Sequence, residues 1–203
     1  MNVDDSLEPA AGGPLSDGER ADLVLIREEE RLARDLYRRF HRAWGMPIFE
    51  NIAASEQRHY DAIGRMLQRY NVPDPSVGQP PGVYADTKLQ SAYDMWLARG
   101  LSSVQGAYAV GVELETGDIA DLSSAVGRTD EDAIHRVYEN LRAASESHLG
   151  AFEAATTGRP MGGGRGWCRR RRGGECGGDG YDGGHHRGGG GHGRRGGRAR
   201  RGS

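Results

Sequence analysis

Apolar residues recur at helical spacing over most of the chain, and no segment of any strength alternates with the period of a strand. The first periodic run begins after Ser16, where Ser16 and Glu19 form an S-x-x-E capping box, and continues to about Arg42. Its apolar line is Leu23, Ile26, Ala33, Tyr37 and Phe40. Gly45 closes the connection and Pro47 suits the first turn of a second helix. That helix runs to about Tyr70, with Phe49, Ile52, Ala53, Ile63, Met66, Leu67 and Tyr70 facing inward. Pro and Gly crowd residues 72–83, which read as a crossing loop. A short helix over about 87–98 follows, broken by Gly100. The third long helix spans about 102–124 along Val104, Ala107, Tyr108, Gly111, Ile119 and Leu122. Thr129 and Asp132 read as caps of a fourth, which runs to about Ala155 with Ile134, Val137, Tyr138, Leu141, Phe152 and Ala155 on its inner stripe. The pattern predicts an all-α fold: an antiparallel four-helix bundle with a short extra helix in the crossover.

Charge divides the 203 residues into unlike parts. Residues 159–203 hold twelve of the 27 basic residues and three of the 29 acidic ones, a net of +9, which leaves residues 1–158 at −11. The expected organisation is a disordered leader over 1–15, a bundle over 16–157 and a disordered Gly/Arg/His-rich tail over 158–203, whose composition cannot bury enough apolar area to offset its ordering entropy. The acidic N-terminus has no apolar run typical of a secretory signal, and nothing approaches the roughly 20 apolar residues of a membrane span. A cytoplasmic protein with no membrane partner is expected. Both cysteines, Cys168 and Cys176, lie in the tail, so no disulfide staples the bundle.

Ionisable residues interrupt the apolar stripes, and they do so in every long helix. Glu56 and His59 fall on the inner line of the second helix, three apart and so on one face. Glu30 falls between Ile26 and Ala33, with Glu29 as its nearest rival for that line. Glu115 and Asp118 occupy the third helix between Gly111 and Leu122, and His148 the fourth between Leu141 and Phe152. A buried carboxylate costs several kcal/mol unless it is paired, protonated or bound to a cation. Taken singly, each residue has a plainer explanation, as an exposed pair, a bundle edge or a satisfied core histidine. Taken together, four helices each offering carboxylate or imidazole to one core predict a metal site.

The segments REEERLARDLY, IFENIAASEQRH, GDIADL and VYENLRAASESHL resemble the ferritin-like family catalogued as domain of unknown function 2202, over about residues 16–157. Ser55-Glu56-Gln57-Arg58-His59 is similar to the E-x-x-H of ferritin and rubrerythrin proteins. The resemblance implies that Glu30 is a terminal ligand, Glu56 a bridge between two metals, His59 and His148 nitrogen ligands, and Glu115 the ligand from the third helix, with Asp118 a further candidate. Tyr37 would be a hydrogen-bond donor to the site or a redox-active phenol. The pattern departs at Ser145, three before His148, where a second bridging glutamate would stand. Glu146 is out of phase by about 100° on a helix, so three alternatives stand: Asp118 replaces the glutamate, the site holds one metal, or the site is degenerate.

The leading expectation is a non-haem iron or manganese protein, dinuclear if Asp118 serves, whose chemistry would be oxidation of Fe(II) by oxygen or peroxide. A second is a nucleic-acid-associated protective protein whose Arg/Gly-rich tail contacts phosphates, or the acidic body of another copy in a homo-oligomer. The third is a metal-free interaction bundle.

Overall fold

The computed structural model describes residues 14–158, and the remainder of the expected leader and tail lies outside the described residues. Five helices and no strand make up that span: α1 Asp17–Trp44, α2 Pro47–Arg69, α3 Thr87–Ser102, α4 Val104–Val126 and α5 Asp132–Thr156. The capping box forms, with the Glu19 backbone N–H donating to Ser16 Oγ and the Ser16 backbone N–H donating to Glu19 Oε2. Gly45 ends α1 at φ +64°, the left-handed conformation that glycine adopts at little cost. The two-residue link that follows folds α2 back against α1.

Cross-helix contacts fix the directions. Arg128, just past α4, pairs with Asp22 near the start of α1, and Tyr37 near the end of α1 reaches Glu115 in α4, so these two helices are antiparallel. Tyr70 bonds Glu131 and Phe49 packs on Phe152, so α2 and α5 are antiparallel too. Helices α2 and α4 therefore run the same way, which the crossover over residues 70–86 and α3 make possible.

Four local expectations are corrected. Gly100 does not break α3 but sits buried inside it, because the Phe40 ring packs where a side chain would stand. Thr129 and Asp132 do not cap α5: Glu131 is the N-cap residue and Asp132 the first helical one, while Thr129 bonds the Glu131 N–H from the preceding turn and donates to Glu19. Leu15, at the end of the expected leader, is buried in the core. Met66, Val104, Ile119, Val137 and Ala155 are only half-buried, whereas Leu32, Leu36, Val110 and Leu114 are core residues that the apolar stripes omitted.

Helix α1 is enclosed on both sides. Its outer face meets the crossover through charged groups: Arg27 bonds Asp74, Arg31 bonds the carbonyls of Pro80 and Val83, and Asp35 accepts from the Gly82 N–H and the Tyr84 hydroxyl. The apolar interior forms two clusters. One includes Tyr37, Phe40, Phe49, Tyr108, Leu114 and Phe152; the other includes Leu23, Ile26, Ile63, Leu67, Leu122 and Tyr138. Between them lies a polar layer crossing all four long helices.

Candidate metal centre

Each helix enters the polar layer at the point where its apolar stripe changes cluster. In α1 Glu30 separates Ile26 from Ala33; in α2 Glu56 and His59 separate Ala53 from Ile63. In α4 Glu115 and Asp118 separate Leu114 from Leu122, and in α5 Ser145 and His148 separate Leu141 from Phe152. Helical spacing on a core-facing line is what places all of them inside. Glu56 and Glu115 are fully buried, and Glu30, Asp118, His59 and Ser145 are nearly so. Glu29, the rival of Glu30, is less enclosed and faces Asp121 instead.

Two groups of ligand-type atoms converge here. Glu30, Glu56 and His59 form one, Glu56, Glu115 and His148 the other, with the chosen atoms of each group within 4.8 Å of one another. Glu56 belongs to both and gives one oxygen to each: its Oε2 lies 2.8 Å from His59 Nδ1, and its Oε1 lies 2.8 Å from His148 Nδ1. Glu30 Oε2 is 3.2 Å from His59 Nδ1, and Glu115 Oε2 is 3.5 Å from His148 Nδ1. The imidazoles stack with centroids 5.7 Å apart. Tyr37 donates to Glu115 Oε1 at 2.7 Å. Asp118 is buried in the same layer but stands outside both three-atom groups. Ser55 Oγ lies 3.4 Å from His59 Nε2, a contact that sequence reasoning passed over although residues four apart share a helix face.

Burial and mutual repulsion set the protonation of the layer. Burial pushes Glu30 and Asp118 well above the usual carboxylate range, with Glu56 adding to it for Glu30 and Glu115 and Glu30 for Asp118. Burial also raises Glu115, against the pull of His148. Glu56 goes the other way: burial opposes its charge, yet His148 and His59 hold it below the ordinary value. Burial disfavours the charged imidazoles, but carboxylates on both sides outweigh it, taking His59 to about 10 and His148 to about 9. Burial, then Glu115, lifts Tyr37 well above an ordinary phenol, so it keeps its proton and donates a hydrogen bond to Glu115.

The hydrogen bonding of the layer is incomplete. Among the described residues, the buried side-chain atoms without a hydrogen-bond partner include Glu56 Oε1, Glu115 Oε2, Asp118 Oδ2, Ser145 Oγ and His148 Nδ1. Glu56 Oε1 and His148 Nδ1 are close in space but not aligned as donor and acceptor. Native cores leave only a few such groups per hundred residues, so five in one layer require a partner. Three of them, Glu56 Oε1, Glu115 Oε2 and His148 Nδ1, come from the residues of a single group.

The family model described as uncharacterized protein domain DUF2202 matches residues 19–160. The uncharacterized protein MJ0754 of Methanocaldococcus jannaschii is 42% identical over 139 residues, 68% of this chain and 75% of that protein. The crystal structure of hypothetical protein MJ0754 from Methanococcus jannaschii DSM 2661 is similar with a TM-score of 0.70 at 39% identity, covering 72% of this chain and 84% of that one.

Proposed function

The chain belongs to the DUF2202 family, and from that premise and the site's geometry we propose that it is a ferritin-like protein holding a dinuclear iron or manganese centre in its polar layer. The observation that carries the reading is Glu56, whose two oxygens face two separate histidine–carboxylate groups from the centre of the core. Glu30 and His59 would hold one ion, Glu115 and His148 the other, and Glu56 would bridge them. Mixed oxygen and imidazole donors without thiolate suit iron and manganese. The partnerless buried atoms support a cation, since a cation satisfies carboxylate and imidazole lone pairs together.

In this reading Asp118, buried in the same layer but outside both three-atom groups, would stand in for the second bridging glutamate that Ser145 does not supply. Ser145 offers that layer a buried hydroxyl, and Asp118 a carboxylate from α4. An iron pair, when bound, would supply electrons to dioxygen or peroxide. The protein's own residues do the rest: Tyr37 orients Glu115 through its hydroxyl, Ser55 contacts the far nitrogen of His59, and the two apolar clusters exclude bulk water.

The test is elemental analysis of the full chain loaded anaerobically with Fe(II), or with Mn(II), beside a Glu56→Ala, His59→Ala double variant. The expected result is two ions per wild-type chain lost from the variant, over any background from the tail. Equal metal in both proteins would sink the reading.

A further inference from the structure

Away from the polar layer, the crossover and the C-terminal half of α1 enclose a cleft of about 260 Å³ lined by Asp35, Arg38, Arg39, Arg42, Pro81 and Tyr93. Its charge runs against the rest of the body. Between Asp35 and Glu50 the chain has three arginines and no acidic residue, within a segment of net −11. Asp35 acts on Arg38 but offsets the three only in part, because its Oδ1 accepts from Arg34 and its Oδ2 from the Gly82 N–H and the Tyr84 hydroxyl. Arg38 bonds only the neutral Gln57, and Arg39 and Arg42 have no acidic partner among the described residues.

The helix dipole does not explain this cluster. A cation benefits from the C-terminal end only within the last turn, and Arg38 and Arg39 lie before the final turn of a helix ending at Trp44. Arg38 and Arg42 are i,i+4 neighbours of like charge, a spacing that is mildly destabilising. Burial and the neighbouring Arg34 both press the Arg38 guanidinium below its ordinary pKa. The buried ring of Tyr93 forms one wall, held where Gly82, at φ +80°, lets its hydroxyl approach the backbone. Three guanidinium groups against one carboxylate already bonded to Arg34, around a small cleft, fit a tetrahedral oxyanion, which accepts several charge-assisted bonds.

We propose that the α1–crossover cleft binds a phosphoryl oxyanion, free or as a monoester, through Arg38, Arg39 and Arg42 against the Tyr93 wall. The test uses the full chain with pyrophosphate as probe. Arginine modification by phenylglyoxal, mapped by peptide mass spectrometry, separates this site from the arginine run 169–172. Pyrophosphate is expected to protect Arg39 and Arg42, and an Arg39→Ala, Arg42→Ala variant to lose about tenfold or more in affinity by equilibrium dialysis. Both side chains are exposed, and protection in the wild type decides the matter should the variant fold poorly. Adenosine monophosphate competing no better than phosphate identifies the free ion as ligand; stronger competition identifies the ester. Modification of Arg39 and Arg42 unchanged by pyrophosphate, or slowed only by an oligonucleotide, would overturn the proposal.

Discussion

Glu56 has an imidazole on each of its two oxygens, so in the proposed centre protons and metal would compete for the same nitrogens. An imidazole nitrogen ligates a metal only when neutral. His59 at about 10 and His148 at about 9 are charged at pH 7 in the metal-free protein. Metal binding at pH 7 is therefore expected to release about two protons from the histidines, with those held by the raised carboxyls of Glu30 and Asp118 adding to that number, and apparent affinity to climb with pH until it levels off near 9 to 10. Calorimetry in two buffers of different ionisation enthalpy measures that release; none would refute the assignment of both histidines. In the metal-free protein the same raised values give a stability contribution complete below the unfolded histidine value of 6.5 and lost as pH rises through about 9 and 10. Tyr37→Phe removes one donor to a fully buried carboxylate. It is expected to lower stability by about 1–3 kcal/mol in thermal denaturation while leaving metal stoichiometry unchanged; a halved stoichiometry would make the phenol part of the binding set. Position on the inner stripe made these residues legible in the sequence. The sharing of Glu56 between two groups came from the family resemblance alone, since position on a stripe does not set the relative heights of α2 and α5.

At the scale of the helix, glycines with and without neighbours separate packing from propensity. Gly111 in α4 lies under Phe152, and a Cβ there would come within 2.6 Å of the ring. Gly150 in α5 has nothing within 4 Å. Gly111→Ala is expected to cost about 1–3 kcal/mol by overpacking, and Gly150→Ala to gain about 0.5–1 kcal/mol from reduced backbone entropy in the unfolded chain. Melting temperatures moving in opposite directions check both; a shared direction would mean that propensity, not contact, governs Gly111. The same contrast explains what the sequence did and did not disclose. The capping box and the Pro47 start were readable because their chemistry is local. Gly100 misled because its neighbour, Phe40, is remote in sequence. The charged outer face of α1, with Arg27, Arg31 and Asp35 buried, could not be read as buried at all, since only the crossover's return path covers it.

For the whole molecule, composition separated an acidic body from a basic C-terminal segment more clearly than any motif did. Removal of residues 159–203 is expected to leave the metal content per chain unchanged, because the proposed ligands all lie between Glu30 and His148. It should abolish salt-sensitive retention on a polyanion column, because the remaining segment carries −11. Persistent retention would locate nucleic-acid contact on the bundle itself.

The polar layer also partitions the interior. Glu30, Glu56, His59, Glu115 and His148 separate two apolar clusters that draw on the same four long helices. Without a cation, the two ends of the bundle are coupled across a stratum that gains little from staying dry. With the proposed pair of ions bound, five side chains would be tied into a single crosslink. The centre then acts as a thermodynamic clasp. Amides around Leu23 and Tyr138 are expected to exchange with solvent deuterium at rates independent of those around Phe49 and Phe152 in the stripped protein, and to merge into one cooperative opening when the clasp is closed.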